Sequence, residues 1–298
     1  VLAECPRDRA ARRQIWMHER AADTVCAMML TTIERSARAA RLVFAGAIAA
    51  LGIIHVIAGE AVTRLFPVWP ISLPGRPWWA HVAGALLLVL GAMILFRRSA
   101  RTAATLTGLV ILASVICLHL PRSLRSDNFG DEWLNVFKWL AMAAAAFVVA
   151  DSFPPAHNRS WSAALIAVFS KAARWLLAAF MLGAAVIHVR FASAIATYYI
   201  PAWIPWRMFW TYFSAATLTA GGVGLLIPTT ARLAGVLTSV MIFLWCPLVH
   251  IPRTIADPGN AGEWCGIFEA LAFAAFAFLL APCAQRRASV PAPNNPRE

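Results

Sequence analysis

The sequence predicts an all-α polytopic membrane protein whose eight transmembrane helices form two tandem, parallel four-helix repeats, with both termini cytoplasmic. Three observations support this prediction. Of 298 residues, 60% are hydrophobic and only 13% are charged, about half the charged share of a soluble domain. Apolar runs of roughly the ~20 residues that cross a bilayer as a helix occur eight times. Polar residues also recur in register between the two halves of the chain.

The composition narrows the class of protein further. A mean hydropathy of +0.67 excludes a disordered chain and almost any soluble enzyme. The net charge of +12 is not a nucleic-acid-binding signature, because the basic residues cluster just outside the apolar runs, as membrane topology requires. We therefore expect a lipid bilayer as the partner, and no nucleic acid.

Each apolar run is predicted to be one transmembrane helix, because lipid cannot satisfy exposed backbone groups and the runs lack the alternation of barrel strands. In chain order the eight predicted spans are 42–58, 78–96, 102–120, 133–150, 175–195, 208–227, 233–251 and 264–281.

The four segments of the chain are predicted from where these runs and the repeats fall. Residues 1–28 are polar and Arg-rich, without the apolar core of a signal peptide, and we interpret them as a leader that precedes a true start near Met28 or Met29. The first four-helix repeat is predicted over 29–151 and the second over 152–283. Residues 284–298 form a cytoplasmic tail.

An internal duplication is the strongest signal in the sequence. Residues 101–141 align without gaps on residues 232–272, with 13 identities in 41 pairs, including His, Pro, Arg, Glu and Trp. Shared hydrophobicity alone would not match these polar residues in register. The first helices match at an offset of 133, through Ile54-His55-Val56 and Ile187-His188-Val189. With four helices per copy, the two copies have the same orientation in the membrane.

The orientation follows from the basic residues. Outside the leader, 13 Lys and Arg lie on the side of the amino terminus, seven Arg lie on the opposite side, and Lys138 lies inside a span. The positive-inside rule then puts both termini in the cytoplasm, and we expect a multi-pass protein of the bacterial cytoplasmic membrane.

The recurring polar and aromatic residues collect at the outer face and form the candidate ligand-binding set. Its members are His55, Trp69, His119, Arg122, Glu132, Trp133, His188, Trp203, His250, Arg253, Glu263 and Trp264. In one interpretation they only fix helix ends, since Pro stops helices, Trp anchors at headgroups and the Arg and Glu of each copy can pair. In another, they line a shallow pocket for a quinone headgroup or a small anion. A third is a docking face for a partner protein.

Two ionisable residues occupy the same place in the two copies with opposite charge. Lys138 and Glu269 each lie six residues beyond the Glu-Trp pair of their copy, which is about 9 Å deeper. Because a charge at that depth is costly unless paired or snorkelling, either a pair between the copies or independent snorkelling is expected.

These residues resemble the DoxX-like family of bacterial integral membrane proteins. The resemblance is carried by His250-Ile-Pro-Arg253, by Glu263-Trp264 and by the outer-loop run 200–206, most clearly in the second copy. The resemblance implies a four-helix unit, present here twice. Some members of the family are linked to quinone-dependent thiosulfate oxidation, and others to thiol defence. This chain lacks the paired cysteines that a thiol-handling role requires.

The chain carries no nucleophile elbow, phosphate loop or metalloprotease motif, so the sequence alone does not make it an enzyme. Three hypotheses remain open. The first is a redox-associated protein that binds quinone at the outer face, with an unidentified membrane or redox protein as partner. The others are a structural or assembly subunit without a ligand, and a small-solute transporter.

Overall fold

The computed structural model describes residues 34–62, 66, 74–96, 98–126, 129–154 and 161–288. Contacts divide the chain into a unit of Val1–Ala39 and a unit of Ala40–Glu298, and the packing described below belongs to the second. Regular secondary structure in the described residues is entirely helical. In chain order the helices are α1 (Glu34–Ala58), α2 (Arg76–Leu95), α3 (Ala100–Ser114), α4 (Leu120–Ser123), α5 (Asp131–Asp151), α6 (Trp161–Arg190), α7 (Ala192–Tyr198), α8 (Arg207–Leu226), α9 (Ala231–Trp245), α10 (Ile251–Ala256) and α11 (Ala261–Ala288).

Seven stretches of helix within the described residues are long and apolar enough to cross a membrane: α1, α2, α3 with α4, α5, α6, α9 with α10, and α11. The chain is therefore a helical protein with the character of a multi-pass membrane protein. Helix α8 covers the sixth predicted span over 20 residues, but it is outside this set. Its sequence includes Arg, Ser, Tyr, three Thr and three Gly, which makes it less apolar than the others.

Several predicted boundaries differ from the observed helices. Helices α1 and α6 begin at Glu34 and Trp161 rather than at 42 and 175, and the stretch of α9 with α10 ends at Ala256 rather than at 251. The fifth span was expected to reach residue 195, but α6 ends at Arg190 and the short α7 follows after Phe191, whose φ and ψ of −115° and 33° leave the helical region. The second span begins at Arg76 rather than at 78. Pro77 is tolerated there because the first turn of a helix does not use its N–H groups for internal bonds.

Helices α5 and α11 are the most buried of the apolar helices, with 67% and 72% of their apolar windows buried. Helix α5 packs against α3 and α6, α11 packs against α9, and α5 and α11 contact each other. In contrast, α9 exposes Leu233, Leu237, Val240 and Phe243 on one side. An exposed apolar face of this kind suits contact with lipid.

Glycines allow α1 and α2 to pack backbone against backbone. A Cβ added at Gly84 would lie 2.8 Å from the carbonyl oxygen of Gly52 and 2.9 Å from Cβ of His55. One at Gly91 would lie 2.8 Å from Cα of Ala49. Small residues at such crossings are typical of helix pairs in membranes, and here the crossing fixes the height of His55.

Matching elements recur in the two halves at a single constant offset in residue number. Helices α2 and α8 have the same length at this offset, and so do α3 and α9. Each of α3 and α9 is followed by a five-residue turn of π-helix, Val115–His119 (π1) and Cys246–His250 (π2). The turns before α3 and α9 also match, since Ser99 Oγ donates to the Met93 carbonyl and Thr230 Oγ1 to that of Gly224, both at 2.8 Å.

The π turns lie where proline enters the helix. Pro121 and Pro252 follow two residues after π1 and π2, and a proline inside a helix donates no hydrogen bond and collides with the carbonyl four residues earlier. A wider turn at this point removes the collision. The backbone N–H of Leu120 accordingly donates to Val115, and that of Ile251 to Cys246. His119 and His250 are the last residues of these wide turns.

Candidate functional site

An arginine and a glutamate tie helix ends together in each half of the chain. Arg253 of α10 forms a hydrogen-bonded ion pair with Glu263 of α11, and only 17% and 13% of the two side chains is exposed. The equivalent Arg122 and Glu132 are 3.8 Å apart and more exposed, at 49% and 35%. The pairs predicted from the sequence therefore form, and the second one is the better shielded from solvent.

The pair in the second half is held by its surroundings. The Arg253 guanidinium also donates to the carbonyl of Tyr199 at 3.4 Å and lies 4.6 Å from the centre of the Tyr199 ring. Trp264 donates through Nε1 to the carbonyl of Pro258 at 2.9 Å, across the loop between α10 and α11. Part of the predicted site thus fixes loop geometry.

Tryptophans of the predicted set do not converge on a pocket. Trp203 is 61% exposed and Trp264 is 42% exposed, whereas Trp133 is half-buried at the start of α5. Trp69 lies outside the described residues. Exposed aromatic side chains near helix ends, including Trp78 and Trp206, are typical of residues that anchor a protein at the headgroup region.

Two of the predicted histidines make the same local hydrogen bond. Nδ1 of His55 lies 2.8 Å from the Leu51 carbonyl, and Nδ1 of His188 lies 2.8 Å from the Ala184 carbonyl. Since a carbonyl only accepts, Nδ1 carries the proton in each ring, and in the neutral ring Nε2 is then an acceptor.

His55 and His188 differ in what surrounds that acceptor. His55 is fully buried, and its ring meets that of Phe66 edge-on at 5.3 Å between centroids. Its Nε2 is a buried atom without a hydrogen-bond partner among the described residues. His188 is half-buried. A buried acceptor without a donor costs about 1–3 kcal/mol, so the His55 ring would gain from any O–H or N–H group brought to it.

His119 belongs to a second buried group of side chains. Its ring stacks on the indole of Trp139 at 6.3 Å, with 21° between the ring planes. The ammonium of Lys138 lies 4.8 Å from the centre of the same indole, a cation–π distance. Trp139, which is 1% exposed, therefore connects the histidine of π1 with the lysine of α5.

Lys138 and Glu269 form an ion pair between α5 and α11, which confirms the first of the two alternatives expected for them. Nζ lies 3.4 Å from both carboxylate oxygens, and both residues are buried. The carboxylate of Glu269 also acts electrostatically on the His55 ring. The pair thus joins α5 to α11 and, with them, the two halves of the chain, a role that the predicted site did not include. The signal for it was the opposite charge at equivalent positions.

A small cavity shares Leu51 and Phe66 with the surroundings of His55. It is lined by Ile48, Leu51, Phe66, Leu87, Val110, Ile111, Ser114 and Trp139, and its volume is about 10 Å³, which is room for about one water molecule. As it stands, the cavity can receive a hydroxyl group but not a whole quinone ring.

The structure thus divides the predicted residues into separate groups. Each Arg–Glu pair stays within its own half, His55 contacts Phe66, and His119 stacks on Trp139. Within the described part of the chain, no three His, Cys, Asp or Glu side chains are grouped so that they could hold a metal ion. No family model, curated protein or solved structure matches the chain.

Proposed function

We propose that the chain is a DoxX-like protein of the bacterial cytoplasmic membrane, with eight spans in two tandem parallel repeats and cytoplasmic termini. The matching bounds of α2 and α8, of α3 and α9 and of the two π turns support a duplication, because unrelated segments would have no reason to share them. The 20-residue length of α8, equal to that of α2, supports its assignment as a span.

For its activity, we propose redox association through binding of a quinone, in its reduced form, in the outer half of the first repeat. The observation that carries this proposal is the fully buried Nε2 of His55, an acceptor to which no group of the described part of the chain donates a hydrogen bond. The hydroxyl group of a quinol headgroup can donate a hydrogen bond to this nitrogen, while the isoprenoid tail of the quinol remains in lipid.

Two further features favour this class of ligand. The neighbouring Lys138 and Glu269 neutralise each other, so the pocket around His55 suits a neutral ligand better than an ion. In the second repeat, Oε2 of Glu263 is also a buried acceptor without a hydrogen-bond partner. Since the cavity holds about one water molecule, entry of a ring requires the Phe66 side chain to rotate away from His55.

The test is mass spectrometry of lipids extracted from the detergent-purified full chain. We expect quinone at about one equivalent, and its loss in His55→Phe, which keeps the ring but removes the acceptor. The matched control is His81→Phe, because His81 is exposed on α2 and should retain the quinone. Equal quinone in the wild type and in His55→Phe, with both proteins folded, would refute the proposal.

A structural or assembly subunit without a ligand is the second candidate. It is favoured by the Arg253–Glu263 pair and by the bond from Trp264 to Pro258, which use predicted site residues to hold one loop. Under this alternative, quinone would stay at background in every variant. Glu263→Gln would then reduce the recovery of a co-purifying membrane partner, whereas the exposed Glu132→Gln would not.

A further inference from the structure

A surface pocket lies between the end of α1 and the start of α2 and includes none of the predicted ligand-binding residues. It has a volume of about 340 Å³ and is lined by Ala58, Gly59, Glu60, Ala61, Arg76 and Pro77. Gly59 and Gly75, with φ of +64° and +69°, turn the chain on its two sides, a conformation that glycine adopts without strain. The pocket therefore has a defined wall and one side chain of each charge.

The position of the pocket relates it to the edge of the bilayer. Helices α1 and α2 are both apolar enough to span a membrane, so the end of α1 and the start of α2 are expected at the boundary of the hydrocarbon. Trp78 and Trp79, in the first turn of α2, are 75% and 54% exposed. Tryptophan side chains in such places lie at the level of lipid headgroups.

The pocket is lined by one acidic and one basic residue, the two charges that complement a zwitterion. Among the described residues, the ion pairs join Arg122 to Glu132, Lys138 to Glu269 and Arg253 to Glu263, so Glu60 and Arg76 remain available to a ligand. Guanidinium groups bind phosphate through two parallel hydrogen bonds, and a carboxylate accepts from a primary ammonium. We propose that this pocket binds the headgroup of phosphatidylethanolamine, with its phosphate on Arg76 and its ammonium on Glu60.

The two halves of the chain differ at this point. Arg207 begins α8 as Arg76 begins α2. At the offset of the first helices, the counterpart of Glu60 is Ser193, which lies in α7. The second half thus has the basic residue without the acidic one, and it provides a matched control for the pocket.

The test is native mass spectrometry of the full chain in detergent, with an equimolar mixture of phosphatidylethanolamine, phosphatidylglycerol and phosphatidylcholine that share the same acyl chains. We expect bound phosphatidylethanolamine to exceed each of the others by about tenfold, because phosphatidylglycerol lacks the ammonium and the quaternary ammonium of phosphatidylcholine has no N–H. A tenfold ratio corresponds to about 1.4 kcal/mol.

The variants divide the preference between the two charges. Glu60→Gln should lose the preference for phosphatidylethanolamine over phosphatidylglycerol. Arg76→Gln should lose the binding of phosphatidylethanolamine and of phosphatidylglycerol, and Arg207→Gln should behave as wild type. Equal binding of the three lipids, or a preference that survives in a folded Glu60→Gln variant, would overturn the proposal. Displacement of the lipid by free phosphoethanolamine at equal concentration would assign the pocket to a soluble zwitterion and would overturn the lipid assignment.

Discussion

Lys138 on α5 and Glu269 on α11 face each other 3.4 Å apart, buried between the two halves of the chain. They lie 131 residues apart, which is the offset that relates the matching helices of the two halves, so under the proposed duplication two identical residues there would have placed two like charges at this contact. With one lysine and one glutamate, the two side chains attract each other instead of repelling. The two halves therefore carry complementary charges at this contact.

Removing one member of this pair should destabilise the protein more than removing both. Lys138→Met leaves the Glu269 carboxylate buried without its counter-charge, which we expect to lower the free energy of unfolding by about 3–5 kcal/mol. The Lys138→Met, Glu269→Met double variant should recover most of that loss, because two apolar side chains carry no desolvation cost. Thermal unfolding in detergent measures both. A double variant less stable than either single one would contradict this account.

The crossing of α1 and α2 should not tolerate a side chain at Gly84. Its Cβ would lie 2.8–2.9 Å from backbone and side-chain atoms of α1, so Gly84→Val should overpack the contact and cost about 1–3 kcal/mol or more. Gly46 on α1 is the control, because a Cβ there meets nothing within 4 Å. Gly46→Ala should be neutral or stabilise by up to about 1 kcal/mol through helix propensity. Similar melting temperatures for the two variants would show that the crossing is looser than described.

The two Arg–Glu pairs should differ in their contribution to stability. Glu263→Gln removes a largely buried partner of Arg253 and should cost about 1–3 kcal/mol. Glu132→Gln breaks the more exposed pair and should cost less than about 1 kcal/mol. Thermal unfolding measures the loss of stability in each variant. Faster hydrogen exchange at residues 257–262 in Glu263→Gln, but not in Glu132→Gln, would locate the effect in the loop that Trp264 also holds. An equal cost for both variants would argue against the difference in burial.

The helical class and most helix positions were predictable because a bilayer restricts a chain to a few solutions. The ends of α6 and α2 were not, since Phe191 breaks a helix without a glycine or proline signal, and Pro77 enters the first turn of α2 instead of preceding it. The Arg–Glu pairs were predicted from their short spacing. The burial of His55 Nε2 and the stacking of His119 on Trp139 depend on the rotation of separate helices about their own axes. That rotation cannot be predicted from a single sequence.

The proposed topology predicts opposite accessibility for two exposed positions. Leu124, which follows α4 and is 67% exposed, lies on the proposed outer side, and the exposed Asp151 at the end of α5 lies on the cytoplasmic side. In intact bacterial cells, Leu124→Cys should react with a membrane-impermeant maleimide and Asp151→Cys should react only after permeabilisation, each measured above the wild-type background. The reverse pattern would invert the topology.

The two halves of the chain carry a tryptophan on different helices at positions related by the offset of 131. In the first half, Trp139 of α5 and Ser114 of α3 line the same cavity, whereas the equivalent positions in the second half hold Ala270 of α11 and Trp245 of α9. The large side chain thus stands on α5 in the first half and on α9, where it is half-buried, in the second. Because positions 114 and 139 border one space in the first half, we expect a large side chain at either position to fill it.

This relationship predicts a compensating pair of substitutions. Trp139→Ala removes a side chain that is 1% exposed and should cost about 3–5 kcal/mol, while Ser114→Trp alone should overpack the cavity and cost about 1–3 kcal/mol. Together they reproduce the arrangement of the second half, so the double variant should be more stable than Trp139→Ala by at least about 1 kcal/mol in thermal unfolding. Additive losses would mean that the two positions do not share one volume. Recovery of stability would show that the halves are two solutions to the same packing problem.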